Sequence, residues 1–575
     1  MTQPLSHDDH SAAAARPAAG RKRGLSRGRR LQLAAAALLV VSGLAGSGLA
    51  CWLRPPDVSD HDDAPAGPLA HLFRDWDKPD LALVVTADQH GYLLPCGCSH
   101  PQMGGLERRY NFIQMLKDRG WPVAAVDLGN VPQVTAPADL PNLQGLIKYR
   151  YAMKAMDVMN YTAVGIGVHE ASMPLFDALA EYALNEPKPA VVSANLLDRS
   201  GKFADMAKAW RQADPIKGVD FKVGVTGLAG PSVIDEIHKK DPSLRFGESR
   251  AALDAVLKEM DANKIDLRVL LYMGSISKGW AGSPPEAVAC AQAYPQFPLI
   301  VALDDGDLPR TDPVWATNAK TGAKTMIVAL GEKAKYVGVV GVYRTNKPGR
   351  PFDLRYQLVE MTEDFATPKA QEADQPVLKL MEEYTDELKR DNYLGKYAQK
   401  KHPMQATATG KMPKYVGTER CVDCHASAGK VWEGTAHSRA YETLVKAERP
   451  SNRQYDPECI VCHTVGFAYQ TGFTSAEKTP KLKNVGCESC HGPGSLHSNN
   501  PNDMAQRALL DPWKAPADET AVQKARRMRR IDDFCQKCHD TENDVTWTEN
   551  GFERKWPKIV HDTPPDEKAD EPGEK

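Results

Sequence analysis

Apolar positions fall along this chain in three textures, and each predicts a different kind of structure. The first is the run LQLAAAALLVVSGLAGSGLACWL, residues 31 to 53, which carries no charged side chain. At about 1.5 Å per residue such a helix crosses a hydrocarbon core of about 30 Å, which predicts a transmembrane helix. The second texture begins at Leu81. LALVVTAD, VAAVDLG, TAVGIG, AVVSANL, FKVGVTGLAG, DLRVLLYMG, PLIVAL, KTMIVALG and YVGVVGVYR are short Val-rich runs, separated by helical stretches such as LQGLIKYRYAMKAMDVM. That rhythm of buried strands and crossover helices predicts an α/β domain over 81–360. Within 361–410, Val377, Leu380, Tyr384 and Leu388 share one helical stripe and predict a linking helix docked on a neighbour. From 411 to 563 the Val-rich runs stop. Cys, His, Gly and Pro punctuate the chain instead, which predicts a mainly α, loop-rich domain.

The polar segments orient these pieces. RKRGLSRGRR precedes the long apolar run and DVSDHDDAP follows it. Positive charge on the cytoplasmic side makes 1–30 a basic cytoplasmic tail and 31–53 a signal-anchor, with the bulk of the chain in the periplasm or an equivalent exported compartment. Gly48-Leu49-Ala50 would also suit cleavage, and Cys51 could carry a lipid. Residues 54–80, rich in Pro and Asp, read as an exposed linker, and the acidic 564–575 as a disordered tail. A formal net charge of −2 argues against nucleic acid as the main partner.

The chemistry is concentrated in the last third. CVDCH (Cys421, Cys424, His425), CIVCH (Cys459, Cys462, His463), CESCH (Cys487, Cys490, His491) and CQKCH (Cys535, Cys538, His539) repeat one pentad. Two thiols at this spacing can add to the two vinyl groups of a porphyrin while the adjacent His reaches its iron. Composition alone would place about 0.01 such runs in the chain by chance. Zinc ribbons do not require a His after every second Cys, redox dithiols usually occur singly, and four identical pentads would be an odd disulfide framework. Four covalently bound haem c groups are therefore expected, with redox proteins of the exported compartment as partners. Four further histidines in this part of the chain could cap an iron. His437 and His497 are favoured, His561 is available, and surface exposure is expected for His402.

YVGTERCVDCHASAGKVWEGTAHSRA, ECIVCHTVGF and NVGCESCHGPG, in this order, resemble the tetrahaem cytochrome c-554 family, which carries electrons from hydroxylamine oxidoreductase. The resemblance covers 411–563. It implies His425, His463, His491 and His539 as proximal ligands and His437, His497 and His561 as distal ones. It also implies that the second haem in sequence is five-coordinate.

TADQHGYLLP, GGLERR, AVDLGN, KAMDVMNYTAVGIGVHE, VSANL and VGVTGLAG resemble the metallophosphatase domain of periplasmic 5′-nucleotidases, a two-metal α/β sandwich. Asp88 and His90 match its Asp-x-His pair, and His169-Glu170 its His-Glu pair, which would make His169 catalytic in an active enzyme. The bridging Asp is replaced by Asn130, the ligand Asn by Val168, a ligand His by Met273, and the final Gly-His-x-His by residues around Leu303 to Asp307. Asn cannot bridge two cations as a carboxylate does, and Val cannot ligate. The resemblance therefore implies a vestigial site in which a divalent metal is not expected. Cys96 and Cys98, near His100, could form a metal or redox site, or one of them could pair with Cys290. Three functions compete: an electron-transfer cytochrome with a phosphatase-like scaffold, an oxidoreductase acting on a small nitrogen compound at an open haem, and a phosphohydrolase with a cytochrome tail.

Overall fold

A computed structural model describes residues 69, 71–95, 100–173, 175–183, 188–198, 203, 206–279, 282–304, 306, 308–541 and 543–561. The expected membrane helix at 31–53, Cys96, Cys98 and the acidic tail lie outside the described residues. Among the described residues no helix is long and apolar enough to cross a membrane.

All nine Val-rich runs form strands: β1 (Leu81–Thr86), β2 (Val123–Asp127), β3 (Tyr161–Gly165), β4 (Ala190–Val192), β6 (Val223–Ala229), β7 (Leu267–Ser275), β8 (Leu299–Leu303), β10 (Lys324–Leu330) and β11 (Tyr336–Lys347). Three further strands were not expected: β5 (Trp210–Gln212), β9 (Val314–Thr317) and β12 (Arg350–Glu360). The strands make two sheets of six, ordered β12-β11-β1-β2-β3-β4 and β5-β6-β7-β8-β10-β9. In the first, β1 to β4 run parallel, β11 pairs antiparallel with β1, and β12 antiparallel with β11. In the second, β6, β7, β8 and β10 are parallel and the outer strands β5 and β9 antiparallel. The three unexpected strands are all sheet edges. An edge strand is half-solvated, so it need not be apolar, as RPFDLRYQLVE shows.

The inner faces of the two sheets share one core, built from residues such as Val85, Val126, Val192, Val225, Leu271 and Val328. The outer face of the second sheet packs Leu253, Val256 and Met260 of the helix Ser249–Ala262. The helix Pro376–Arg390 buries Val377, Met381, Tyr384 and Leu388, while Leu380 of the expected stripe is only partly buried. Its Glu387 accepts hydrogen bonds from Tyr151 (2.9 Å) and Arg150. The expected exposed linker is corrected over 71–80. Leu72 and Phe73 belong to the core, and Phe73 sits edge-on to Trp76 and Trp121. Cys290, on the helix Glu286–Ala293, is a free thiol, so the pairing offered for it is not made.

From residue 393 onward the chain forms short helices and turns with two small apolar clusters. The larger gathers Tyr397, Tyr415, Tyr441, Ile460, Val465, Phe467 and Phe473, and also includes Ala136 and Leu140 from the α/β part. The smaller holds Ile531, Trp547 and Phe552.

Candidate functional site

Each pentad lies on or at the end of a helical turn. At 100° per residue, positions i, i+3 and i+4 fall on one face, so both thiols and the imidazole leave the backbone together. Asp456 starts the second of these turns, Pro457–His463, by accepting a hydrogen bond from the Glu458 N–H (3.0 Å). In the fourth, the helix Ala521–Cys535 ends on the first thiol, and the His539 N–H donates to the Cys535 carbonyl (2.9 Å). None of the eight pentad cysteines is joined in a disulfide. The Cys421 and Cys487 thiols lie close enough to perturb each other, as do those of Cys462 and Cys538. The first pentad therefore lies beside the third, and the second beside the fourth.

Three pentad histidines each face one histidine from outside the pentads. Ring centres are 6.2 Å apart for His425 and His497, 6.0 Å for His491 and His561, and 5.9 Å for His437 and His539. Two imidazoles bonded to one metal at about 2 Å each put their ring centres about 6 Å apart. Among the described residues no ring faces His463, whose Nδ1 lies 2.6 Å from the Ala440 carbonyl and 3.5 Å from Thr443 Oγ1. His491 Nδ1 is likewise 2.6 Å from the Leu510 carbonyl, whereas His539 Nδ1 lies 2.9 Å from the Asp544 carboxylate. Paired thiols with an adjacent imidazole, and a second imidazole opposite three of them, are a donor set that fits haem c.

His402 is engaged elsewhere. It begins the turn Pro403–Ala406, where its Nδ1 accepts from the Met404 N–H (3.3 Å), and its ring meets Tyr469 and Tyr415 edge-on. It is also only half-exposed, against the surface position expected for it.

Two glutamates, one inside a pentad and one immediately before another, are buried anchors that sequence reasoning left without a role. Glu488 accepts N–H groups from Val416, Gly417 and Gly494 at 2.7 to 3.0 Å, tying the third pentad to the segment that leads into the first. Glu458, next to Cys459, pairs with Lys148 and accepts from Gln133 (2.7 Å), while Gln144 donates to Asp456 (3.0 Å). Burial pushes the Glu458 carboxyl up and the Lys148 ammonium opposes it. Thus the loop after β2 and the helix Gly145–Val158 hold the second pentad.

The phosphatase-like motifs also converge. Asp88 and His90 follow β1, Asn130 follows β2, and His169 and Glu170 follow β3, at the carboxyl ends of parallel strands where α/β sheets place ligands. Asp88, His90 and Asn130 all have positive φ (49°, 51° and 56°), a costly set for non-glycine residues. The polar groups satisfy one another. Asn130 Nδ2 donates to Asp88 Oδ1 (2.8 Å), and its Oδ1 accepts the His169 N–H (3.1 Å). The Glu170 carboxylate is engaged by the N–H groups of Gly167, Val131 and Asn130, and burial raises its pKa to about 7. His169 stacks on His90 at 4.1 Å, and burial together with His90 lowers its pKa to about 4, so it is neutral near pH 7. Met273 Sδ is 3.9 Å from Asn130 Nδ2. Among the described residues no group of three or more His, Cys, Asp or Glu side chains is placed to hold a metal ion.

The chain is similar in fold to the 5′-nucleotidase precursor of Thermus thermophilus, at 20% identity and a TM-score of 0.41 over 56% of this chain and 61% of that one. It is similar also to a calcineurin-like phosphoesterase of Bacillus subtilis, at 15% identity and a TM-score of 0.41 over 53% of this chain and 96% of that one. Cytochrome c-554 of Nitrosomonas europaea is 32% identical over 136 residues, 22% of this chain and 57% of that protein, so the chain spans little more than half of that relative. Residues 420–492 match the family described as cytochrome c554 and c-prime. The C-terminal region of this chain is thus similar to cytochrome c554, a family that implies covalently attached haem c.

Proposed function

We propose that this protein is a tetrahaem c-type cytochrome that carries electrons in an exported compartment, tethered to the membrane through residues 31–53, with redox proteins as partners. The observation that carries the reading is the one-to-one facing of His425 with His497, His491 with His561, and His539 with His437. In it, Cys421 and Cys424, Cys459 and Cys462, Cys487 and Cys490, and Cys535 and Cys538 hold one haem each through thioethers. His425, His463, His491 and His539 are the proximal ligands. Haem bound there supplies one-electron redox chemistry. The chain fixes three of these rings through the other nitrogen, the Ala440 and Leu510 carbonyls at His463 and His491 and the Asp544 carboxylate at His539, and such partners hold a ligand in one orientation. Denatured protein matured in an exporting host should keep about four haems per chain, because c-type attachment is covalent. Zinc without haem would refute the proposal.

The α/β part serves in this reading as a scaffold that grips the second pentad rather than as a hydrolase. Asn130 puts an amide N–H against Asp88 where a two-metal site needs a bridging carboxylate, and Glu170 is spent on backbone N–H groups. The full-length protein with added divalent metal should release no phosphate from nucleotides above background. Metal-dependent turnover that His90→Ala abolishes would overturn this assignment. An oxidoreductase reading rests on a separate observation, the unfaced His463, and is tested by ligand binding at that haem.

A further inference from the structure

We propose that Asp544 is a positioning residue that sets the reduction potential of the fourth haem through His539, holding it below the value that a neutral hydrogen-bond acceptor would give. The inference rests on the reading of His539 as an iron ligand. Where a partner for Nδ1 is defined in the other pentads, at His463 and His491, it is a backbone carbonyl; at His539 it is a carboxylate. A carboxylate draws the Nδ1 proton towards itself and makes the opposite nitrogen a stronger donor, which favours the oxidised metal.

The surroundings show that this carboxylate is fixed. The Asp544 side chain is 3% exposed. Its Oδ1 accepts from Thr546 (3.1 Å), its Oδ2 takes His539 and the Lys555 ammonium, and its backbone N–H is held by the Asp540 carbonyl (2.8 Å). Trp547 stacks on the His539 ring at 4.8 Å and 20° and is anchored by its own N–H to Asp532 (2.9 Å). Ring orientation, acceptor position and acceptor charge are therefore set by separate groups. Charge can be changed while the geometry is kept. Lys555 partly neutralises Asp544, so it tempers the same effect.

The test is an optically monitored redox titration of the full-length, haem-loaded protein, with haem counted after denaturation. Asp544→Asn keeps an oxygen that can accept from Nδ1 but removes the charge. One of the four steps should move to more positive potential, with the other three in place and haem content unchanged. Lys555→Gln should move the same step in the opposite direction. The low-spin ferric resonance of that haem should change its g-value spread in Asp544→Asn, as expected when imidazolate character is lost. Four unmoved steps in Asp544→Asn, or a shift shared by all four, would overturn the proposal. A wild-type protein with no haem on the fourth pentad would instead overturn the ligand assignment on which it rests.

Discussion

Carbon monoxide added to the reduced protein is expected to bind one haem of the four, the one held by Cys459, Cys462 and His463. The other three pentad histidines each face an imidazole at about 6 Å, the separation of two ligands on one metal. In the proposed reading His437, His497 and His561 are thereby committed, and no ring among the described residues faces His463. The segment after the second pentad, TVGFAYQTGF, holds no histidine, methionine or lysine, and its Val465, Phe467 and Phe473 turn into the apolar core. His402 is the remaining rival. It is engaged in a helix start and held between two tyrosine rings, with its Cε1 and Nδ1 close to Gly492, beside the third pentad. His402→Ala should therefore leave carbon monoxide binding unchanged. The oxidised protein should show one high-spin haem beside three low-spin ones. Four low-spin haems with no spectral shift on adding carbon monoxide would leave a pure electron carrier and remove the oxidoreductase reading.

The attachment chemistry was legible because it is local: five consecutive residues carry the whole pattern. The facing of the histidines was not. His497 lies six residues after His491 yet faces His425, and His437 lies twelve after His425 yet faces His539. Sequence proximity would have paired both wrongly, because the loops that bring them together leave no periodic trace. Asp544 was missed for a related reason, since an acidic residue in a polar loop looks like any other until its burial is known. The strands divide in the same physical way. Runs buried on both faces announce themselves by continuous Val, whereas β5, β9 and β12 lie at sheet edges and carry Arg, Gln and Trp. In the Pro- and Asp-rich stretch before β1, composition concealed Phe73 and Trp76, whose aromatic partner Trp121 lies far along the chain. In the strand-end cluster the substitutions at Asn130 and Met273 were visible. That Asn130 closes the cluster by bonding Asp88 and the His169 backbone was not.

Lys148→Met should be among the most destabilising single changes in the protein, at about 3–5 kcal/mol near neutral pH. Lys148 and Glu458 form an ion pair whose side chains are 13% and 11% exposed, and Gln133 bonds both partners. Removing the ammonium leaves a buried carboxylate with one amide for company, which is the costly half of a broken pair. Burial already raises the Glu458 carboxyl, and Lys148 is the main group opposing that rise. In the variant the folded-state pKa climbs further. A carboxyl raised in the folded state binds its proton more tightly there than in the unfolded chain, so the folded protein is favoured at low pH and loses that advantage as pH rises through the folded value. The deficit of Lys148→Met should therefore be smallest in acid and largest above the raised Glu458 pKa. Adding Glu458→Gln should recover most of it, since no buried charge is then left unpaired. Denaturant unfolding of the haem-loaded protein at several pH values measures all three. A deficit below about 1 kcal/mol, typical of an exposed pair, or one that does not change with pH, would show that this contact does not anchor the second pentad.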